Sequence, residues 1–119
     1  MTKQTVEGTA AMTALFRSLG DPNRLALLRV LSEGEARVTD LAASVGLAQS
    51  TVSAHLSCLR DCGLVDFRPE GRASRYFLAA PEVLQLLATA EALLTVTGAA
   101  VDRCSTYGNC EDRPSRRGA

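Results

Sequence analysis

Residues Ala48–Gly63 read AQSTVSAHLSCLRDCG, and the spacing of three side chains within them settles the local fold. Val52, Leu56 and Leu59 stand at i, i+4 and i+7, which on a helix is one apolar stripe to bury. At about 100° per residue, Ser50, Ser53, Ala54 and Ser57 then gather on the far side as small groups that let a partner's backbone come close. Thr51, His55, Cys58 and Cys62 stack on a third face at steps of four, three and four. Gly63 supplies the left-handed position that stops a helix, and Leu64 is the apolar residue that follows it. One predicted helix therefore carries a polar face suited to DNA in its first half and two thiols in its second.

Upstream, Gly46-Leu47 makes the turn into this helix. Before it, Thr39 is expected to cap a short helix with Leu41, Ala42 and Val45 inward. A helix of about two turns, a glycine turn and a longer polar-faced helix read together as helix-turn-helix. Asp21 as N-cap and Pro22 at the first helical position open another helix, with Leu25, Leu28 and Leu31 on its apolar face and Leu27 and Val30 beside them. From Glu7, the residues Ala10, Ala11, Ala14, Leu15, Phe16 and Leu19 give a first helix, which Gly20 ends.

Downstream the period changes. Leu64–Arg68 and Ala73–Leu78 are short, rich in β-formers and separated by Pro69-Glu70-Gly71-Arg72, the pattern of a β-hairpin. Arg68, Arg72 and Arg75 fall at its tip. Pro81 and Glu82 open a long apolar helix. The predicted order is ααααββα, a mainly α fold with one hairpin (α+β): a winged helix-turn-helix whose first and last helices pair two copies. Residues 1–6 read as a flexible N-terminus, 7–103 as the domain with its dimerisation helices, and 104–119 as a flexible cysteine-containing tail.

The 119 residues suffice for one domain, and 13 basic residues against 13 acidic ones exclude a general polycation. Any nucleic-acid footprint must be local. The start lacks a charged region followed by an apolar one, so a cytoplasmic protein is expected, in which four cysteines are thiols for metal or redox chemistry rather than a disulfide framework. Val83–Val101 is apolar enough to raise a membrane span, but Glu91 at its middle would be costly in lipid; a buried oligomerisation helix is the reading kept, with no membrane partner. There is no Cys-x-x-Cys, no nucleophile with base and orienting acid, and no phosphate loop, so no enzyme and no catalytic residues are expected.

Cys58 and Cys62 lie on one helical face with Cβ atoms about 6 Å apart, so both sulfurs can turn toward one ion. A third ligand has to come from elsewhere, and Cys104 and Cys110 are the remaining thiols. Soft thiolates favour cadmium, lead or trivalent arsenic; zinc also binds but is usually four-coordinate. Burial of the cysteines as small hydrophobes and reversible disulfide formation are the competing readings. For DNA, Gln49, Ser50, Thr51 and Ser53 occupy the first turns, the part of such a helix that enters a major groove. Arg72 is the leading phosphate or minor-groove contact, supported by Arg68, Arg75 and Arg60. The plainer reading of these polar groups is a solvated face.

Three stretches also carry a family likeness: LFRSLGDPNRLALLRVL, LAASVGLAQSTVSAHLSCLRDCGLV and EGRASRYFL, spanning roughly residues 14 to 101. Together they resemble the ArsR/SmtB repressors that sense metal ions, and HLSCLRDCGL resembles the paired thiolates of that family's cadmium- and lead-responsive CmtR branch. The resemblance implies a homodimeric repressor that binds an imperfect inverted repeat of double-stranded operator DNA and leaves it on binding Cd2+ or Pb2+. It implies Cys104 as the third ligand, with Cys110 as a further one, and for His55 a place at the helix edge or on a phosphate. An arsenite-responsive or a thiol-disulfide repressor using the same cysteines remains the alternative. Two family features are absent: EARVTDL has Arg37 and Thr39 where a Cys-x-Cys site would stand, and His55 is the only histidine, which removes the His-rich site of the last helix. Ala48 replaces the usual Ser or Thr cap, a loss of about 1 kcal/mol.

Overall fold

The structure is a computed structural model that describes residues 7–108. A 3-10 turn at Glu7–Thr9 leads into α1 (Ala10–Leu19). The Gly20 amide donates to the Phe16 and Arg17 carbonyls at 2.8 and 3.2 Å and closes that helix. α2 (Pro22–Leu31) begins as predicted: Asp21 Oδ1 accepts the Asn23 and Arg24 amides at 2.9 and 3.1 Å, and Pro22 takes the position whose missing N–H costs nothing. The amide of Arg24 is the main reason the Asp21 carboxyl titrates below the ordinary range; the Asn23 amide and the charges of Arg24 and His55 add to it.

Between α2 and the helix-turn-helix lies a strand that no sequence pattern announced, β1 (Ala36–Arg37). It changes the start of α3 (Val38–Val45), which begins one residue before Thr39 rather than after it. The predicted Thr39 cap is therefore wrong. Arg37 occupies the cap position, and because a guanidinium has nothing to accept with, the cap is one-sided: the Arg37 amide donates to Asp40 Oδ2 at 3.3 Å. The Gly46 and Leu47 amides both return to the Ala42 carbonyl, at 2.9 and 3.2 Å, and turn the chain into α4 (Gln49–Asp61).

α4 ends as its sequence requires. With Gly63 at φ +80°, the Gly63 amide reaches the Arg60 carbonyl (2.9 Å) and the Leu64 amide that of Leu59 (3.0 Å). Those two bonds form a Schellman cap, and Leu64 and Leu59, its hydrophobic pair, are both buried.

The hairpin is longer in its strands and shorter in its turn than expected. β2 (Val65–Glu70) pairs antiparallel with β3 (Ala73–Leu78), Glu70 opposite Ala73, so only Gly71 and Arg72 remain between them. Gly71 sits at φ +65° while Arg72 keeps a negative φ, the pattern of a type II′ turn, which matches the twist of the strands better than the predicted four-residue link. Pro69 is tolerated inside β2 because the sheet order β1-β3-β2 leaves that strand at an edge. Ala36 and Arg37 complete the sheet opposite Tyr76 and Arg75.

Leu27 and Leu28 of α2, Leu41 of α3, and Val52, Leu56 and Leu59 of α4 are completely buried, with Val65 beside them. The stripe read in Ala48–Gly63 is thus the centre of the core, and it fixes the direction of every other side chain on α4. The last helix, α5 (Pro81–Thr97), begins in one compact unit, which ends at Leu84, and continues into a second, which starts at Gln85. In the second unit a 3-10 turn at Ala100–Arg103 follows α5, and Leu93, Leu94, Val96 and Val101 are exposed. Among the described residues no helix is long and apolar enough to cross a membrane.

Candidate nucleic-acid interface and thiol groove

α4 presents two chemically different faces, and the buried stripe separates them. On one side Gln49 and Ser53, one turn apart, line a cleft of about 440 Å³ with Arg37 and Thr39 at the start of α3 and Arg72 and Tyr76 of the hairpin. Gln49, Ser50, Thr51 and Ser53 are all exposed. Ala48 places no acceptor at the helix start, so the first-turn amides keep their hydrogens for an outside oxygen. The four predicted reading residues are therefore on the surface, and two of them share the cleft with the wing tip.

The arginines expected around that cleft fall into two groups. Arg72 is exposed at the turn and has no partner among the described residues. The other three are held by carboxylates. Arg68 grips Glu35 through both terminal nitrogens, Nη1 to Oε2 at 3.1 Å, and lies over the Phe77 ring. Arg60 Nε donates to Asp66 Oδ1 at 3.2 Å and stacks 4.5 Å above Phe67. Arg75 is half-buried and bidentate on Glu70, at 2.8 and 3.0 Å. Arg37 joins the same carboxylate, its Nε 2.8 Å from Oε1 and its Nη2 in closer contact. The hydrogen bonds from Arg75, then Arg37, hold the Glu70 carboxyl down to about 2, so it is ionised at any working pH. Arg37 is the residue that sequence reasoning missed: the carboxylate that places it is thirty-three positions away.

On the other side of α4, Cys58 is half-buried and Cys62 exposed, and both line a groove of about 510 Å³ against α1 and α2 with Thr13, Arg17, Ser18 and Arg24. The Cys62 amide donates to the Cys58 carbonyl at 3.0 Å, so the i,i+4 relation survives to the end of the helix. At that spacing the Cβ atoms are about 6 Å apart, against the roughly 4 Å a disulfide needs; both are free thiols. Neither carboxylate nor imidazole is among the groove's lining residues, and the two sulfurs are its soft donors. Two thiols on one face with guanidinium groups beside them fit a soft ion and not a hard one.

The rest of the predicted set is not brought to this groove by the first unit. Cys104 is half-buried in the second unit, where its carbonyl accepts the Gly108 amide at 2.8 Å. Cys110 lies outside the described residues. No three His, Cys, Asp or Glu side chains converge as a metal cluster among the described residues. His55, half-buried on the face of the thiols, is close enough to Asp21 for its charge to act on that carboxyl, and it does not line the cleft that Gln49 and Ser53 form.

Comparison with known proteins identifies the family. The model of the bacterial regulatory protein, arsR family, matches residues 21–66. A probable mercury resistance operon repressor of Streptomyces lividans is 41% identical over 90 residues, covering 76% of this chain and 72% of that one. The HTH-type transcriptional regulator CmtR of Mycobacterium tuberculosis is 50% identical over 70 residues, 59% of each chain. Among solved structures, the homodimeric winged helix-turn-helix DNA-binding domain of Mb0332 from Mycobacterium bovis, described as a possible ArsR-family transcriptional regulator, superposes with a TM-score of 0.68 at 28% identity, over 88% of this chain and 97% of that one.

Proposed function

This chain belongs to the arsR family of bacterial regulatory proteins, DNA-binding regulators and not enzymes, and from that premise we propose a homodimeric repressor released from its operator by a soft metal ion. The observation that carries the reading is that one helix presents both surfaces. Gln49 and Ser53 face the cleft at one end of α4, and Cys58 and Cys62 face the thiol groove at the other. Cadmium or lead is the inducer that a thiolate set of three suits, and Cys104 or Cys110 supplies the third sulfur. The relative named as a probable mercury resistance operon repressor supports a metal as the effector.

Ligation by Cys58 and Cys62 ties the C-terminal half of α4 to the cysteine-bearing segment. In a dimer this resets the placement of the two reading helices, which must sit about 34–36 Å apart to meet two half-sites of an inverted repeat. Because binding is reciprocal, the loss in DNA affinity on loading equals the loss in metal affinity on DNA, typically about 1–3 kcal/mol. A bacterial DNA-binding repressor works where its operator is, in the cytoplasm. The i,i+4 spacing supports metal ligation over an oxidant switch between Cys58 and Cys62, since that disulfide would require α4 to unwind at its last turn.

The test is an ultraviolet titration of the reduced protein with cadmium, repeated with lead and arsenite. A thiolate-to-metal charge-transfer band saturating at one ion per subunit, weaker in Cys104→Ser or Cys110→Ser, is the expected result; no band with any of the three would overturn the metal reading. A saturating band with arsenite alone would make arsenite the inducer. For the DNA side, Arg72→Ala is expected to weaken operator binding and flatten its salt dependence by about one unit of slope. Fluorescence anisotropy over a salt series reads this directly, and an unchanged slope would remove the wing tip from the phosphate contacts.

A further inference from the structure

Arg37 and Arg75 approach one another from different elements, the start of α3 and the middle of β3, and Glu70 at the end of β2 lies between them. Glu70 Oε1 accepts from Arg37 Nε (2.8 Å) and Arg75 Nη2 (3.0 Å), and Oε2 accepts from Arg75 Nε (2.8 Å). Two guanidinium forks on one pair of anionic oxygens is the arrangement that also recognises a phosphate. The cluster is accessible: the Arg37 side chain is 45% exposed and that of Glu70 38%. It also sits where DNA is expected, since Arg37 lines the cleft with Gln49, Ser53 and Arg72, and Glu70 is two residues from Arg72. The carboxylate and both guanidinium groups reach solvent, so an incoming phosphate can compete with Glu70 for the same donors.

We propose that Glu70 occupies in the free protein the place a DNA phosphate takes in the complex, so that it holds Arg37 and Arg75 ready while lowering the chain's affinity for DNA of any sequence. This rests on the DNA-binding reading of α4 and the wing. The trio carries a net charge of +1. Without the carboxylate it carries +2, and both guanidinium groups are open to the backbone. Non-specific binding is almost wholly electrostatic and scales with the number of phosphates neutralised. A carboxylate at this position therefore acts on the sequence-independent part of the affinity.

The experiment is anisotropy of a random-sequence duplex with the full chain across a salt series. Glu70→Gln is expected to steepen the slope of log K against log salt by about 0.9, and to tighten binding roughly tenfold at 0.1 M salt. Arg37→Ala alone should flatten the slope by about the same amount, and the double variant should return to the wild-type slope. Glu82→Gln, the same charge change on the first turn of α5, serves as the control and should shift the slope less. Unchanged binding in a Glu70→Gln protein that melts like wild type would overturn the proposal, as would an equal shift in Glu82→Gln. Should Glu70→Gln fail to fold, an unchanged slope in Arg37→Ala overturns it and a flattened one supports it. If the wild-type chain binds no duplex at all, the DNA reading itself falls and the proposal with it; if it binds and only the Glu70 effect is missing, the DNA reading stands.

Discussion

Cys58→Ser is expected to leave operator affinity unchanged in the absence of metal and to abolish release by cadmium. The side chain is half-buried in a groove against α1 and α2, on the face of α4 that does not line the cleft of Gln49 and Ser53. Serine keeps the size of cysteine within one atom, so the groove and the helix stay as they are. A hydroxyl, however, is a poor ligand for a soft ion, which holds to thiolates. With one sulfur of the proposed set gone, the proposed coupling of about 1–3 kcal/mol, or 5- to 150-fold in DNA affinity, disappears. Cys62→Ser should behave alike, since Cys62 is exposed at the rim of the same groove. The measurement is operator anisotropy with and without cadmium. Weakened binding of either variant without metal would show the cysteines to be structural, and an intact cadmium response would place the site elsewhere.

Leu56→Ala carries the largest expected effect on the fold. Leu56 is completely buried at the middle of the α4 stripe, with Val52 one turn before it and Leu59 one turn after, both equally buried. Truncating a leucine in such a place costs about 2–5 kcal/mol, because the transfer energy is lost and the cavity only partly collapses. That is a factor of about 30 to several thousand in the unfolding equilibrium, against a total stability of roughly 5–15 kcal/mol for a domain. Ser57→Ala, the next residue, is exposed and should change stability by less than about 0.5 kcal/mol. Urea unfolding at a fixed protein concentration separates the two, the midpoint falling for Leu56→Ala at constant slope. A loss under about 1 kcal/mol would mean that α4 does not pack through this stripe.

Both experiments act on the helix whose pattern was plain in the sequence. Its stripe, its glycine stop and the weak start at Ala48 are local features, set within four or five residues of chain, and the structure reproduces each of them. Asp21-Pro22 was legible for the same reason. The errors were also local readings, overridden by contacts from afar. Thr39 looked like a cap until Ala36 and Arg37 were drawn into pairing with β3, which moved the helix start to Val38. Pro69 and Glu70 looked like turn until six residues of β2 found partners along β3.

The amino-acid sequence by itself determined the helix-turn-helix, the hairpin, the family and the thiol pair on one helical face, because each depends on periodicity or on residues a few positions apart. The tertiary structure decided what the charged and reactive side chains can do. It set Arg72 apart from Arg60, Arg68 and Arg75, which are paired in the free chain with its own carboxylates, and it brought Arg37, paired with Glu70, to the cleft. It turned Cys58 and Cys62 toward α1 and α2, and Gln49 and Ser53 toward the wing. An arginine and the carboxylate that neutralises it lie five or six positions apart for Arg75 and Arg60 but thirty-three for Arg37 and Arg68. Charge pairing acts through space over a few ångströms and takes no account of separation along the chain, so only the folded arrangement shows which cations are already paired within it.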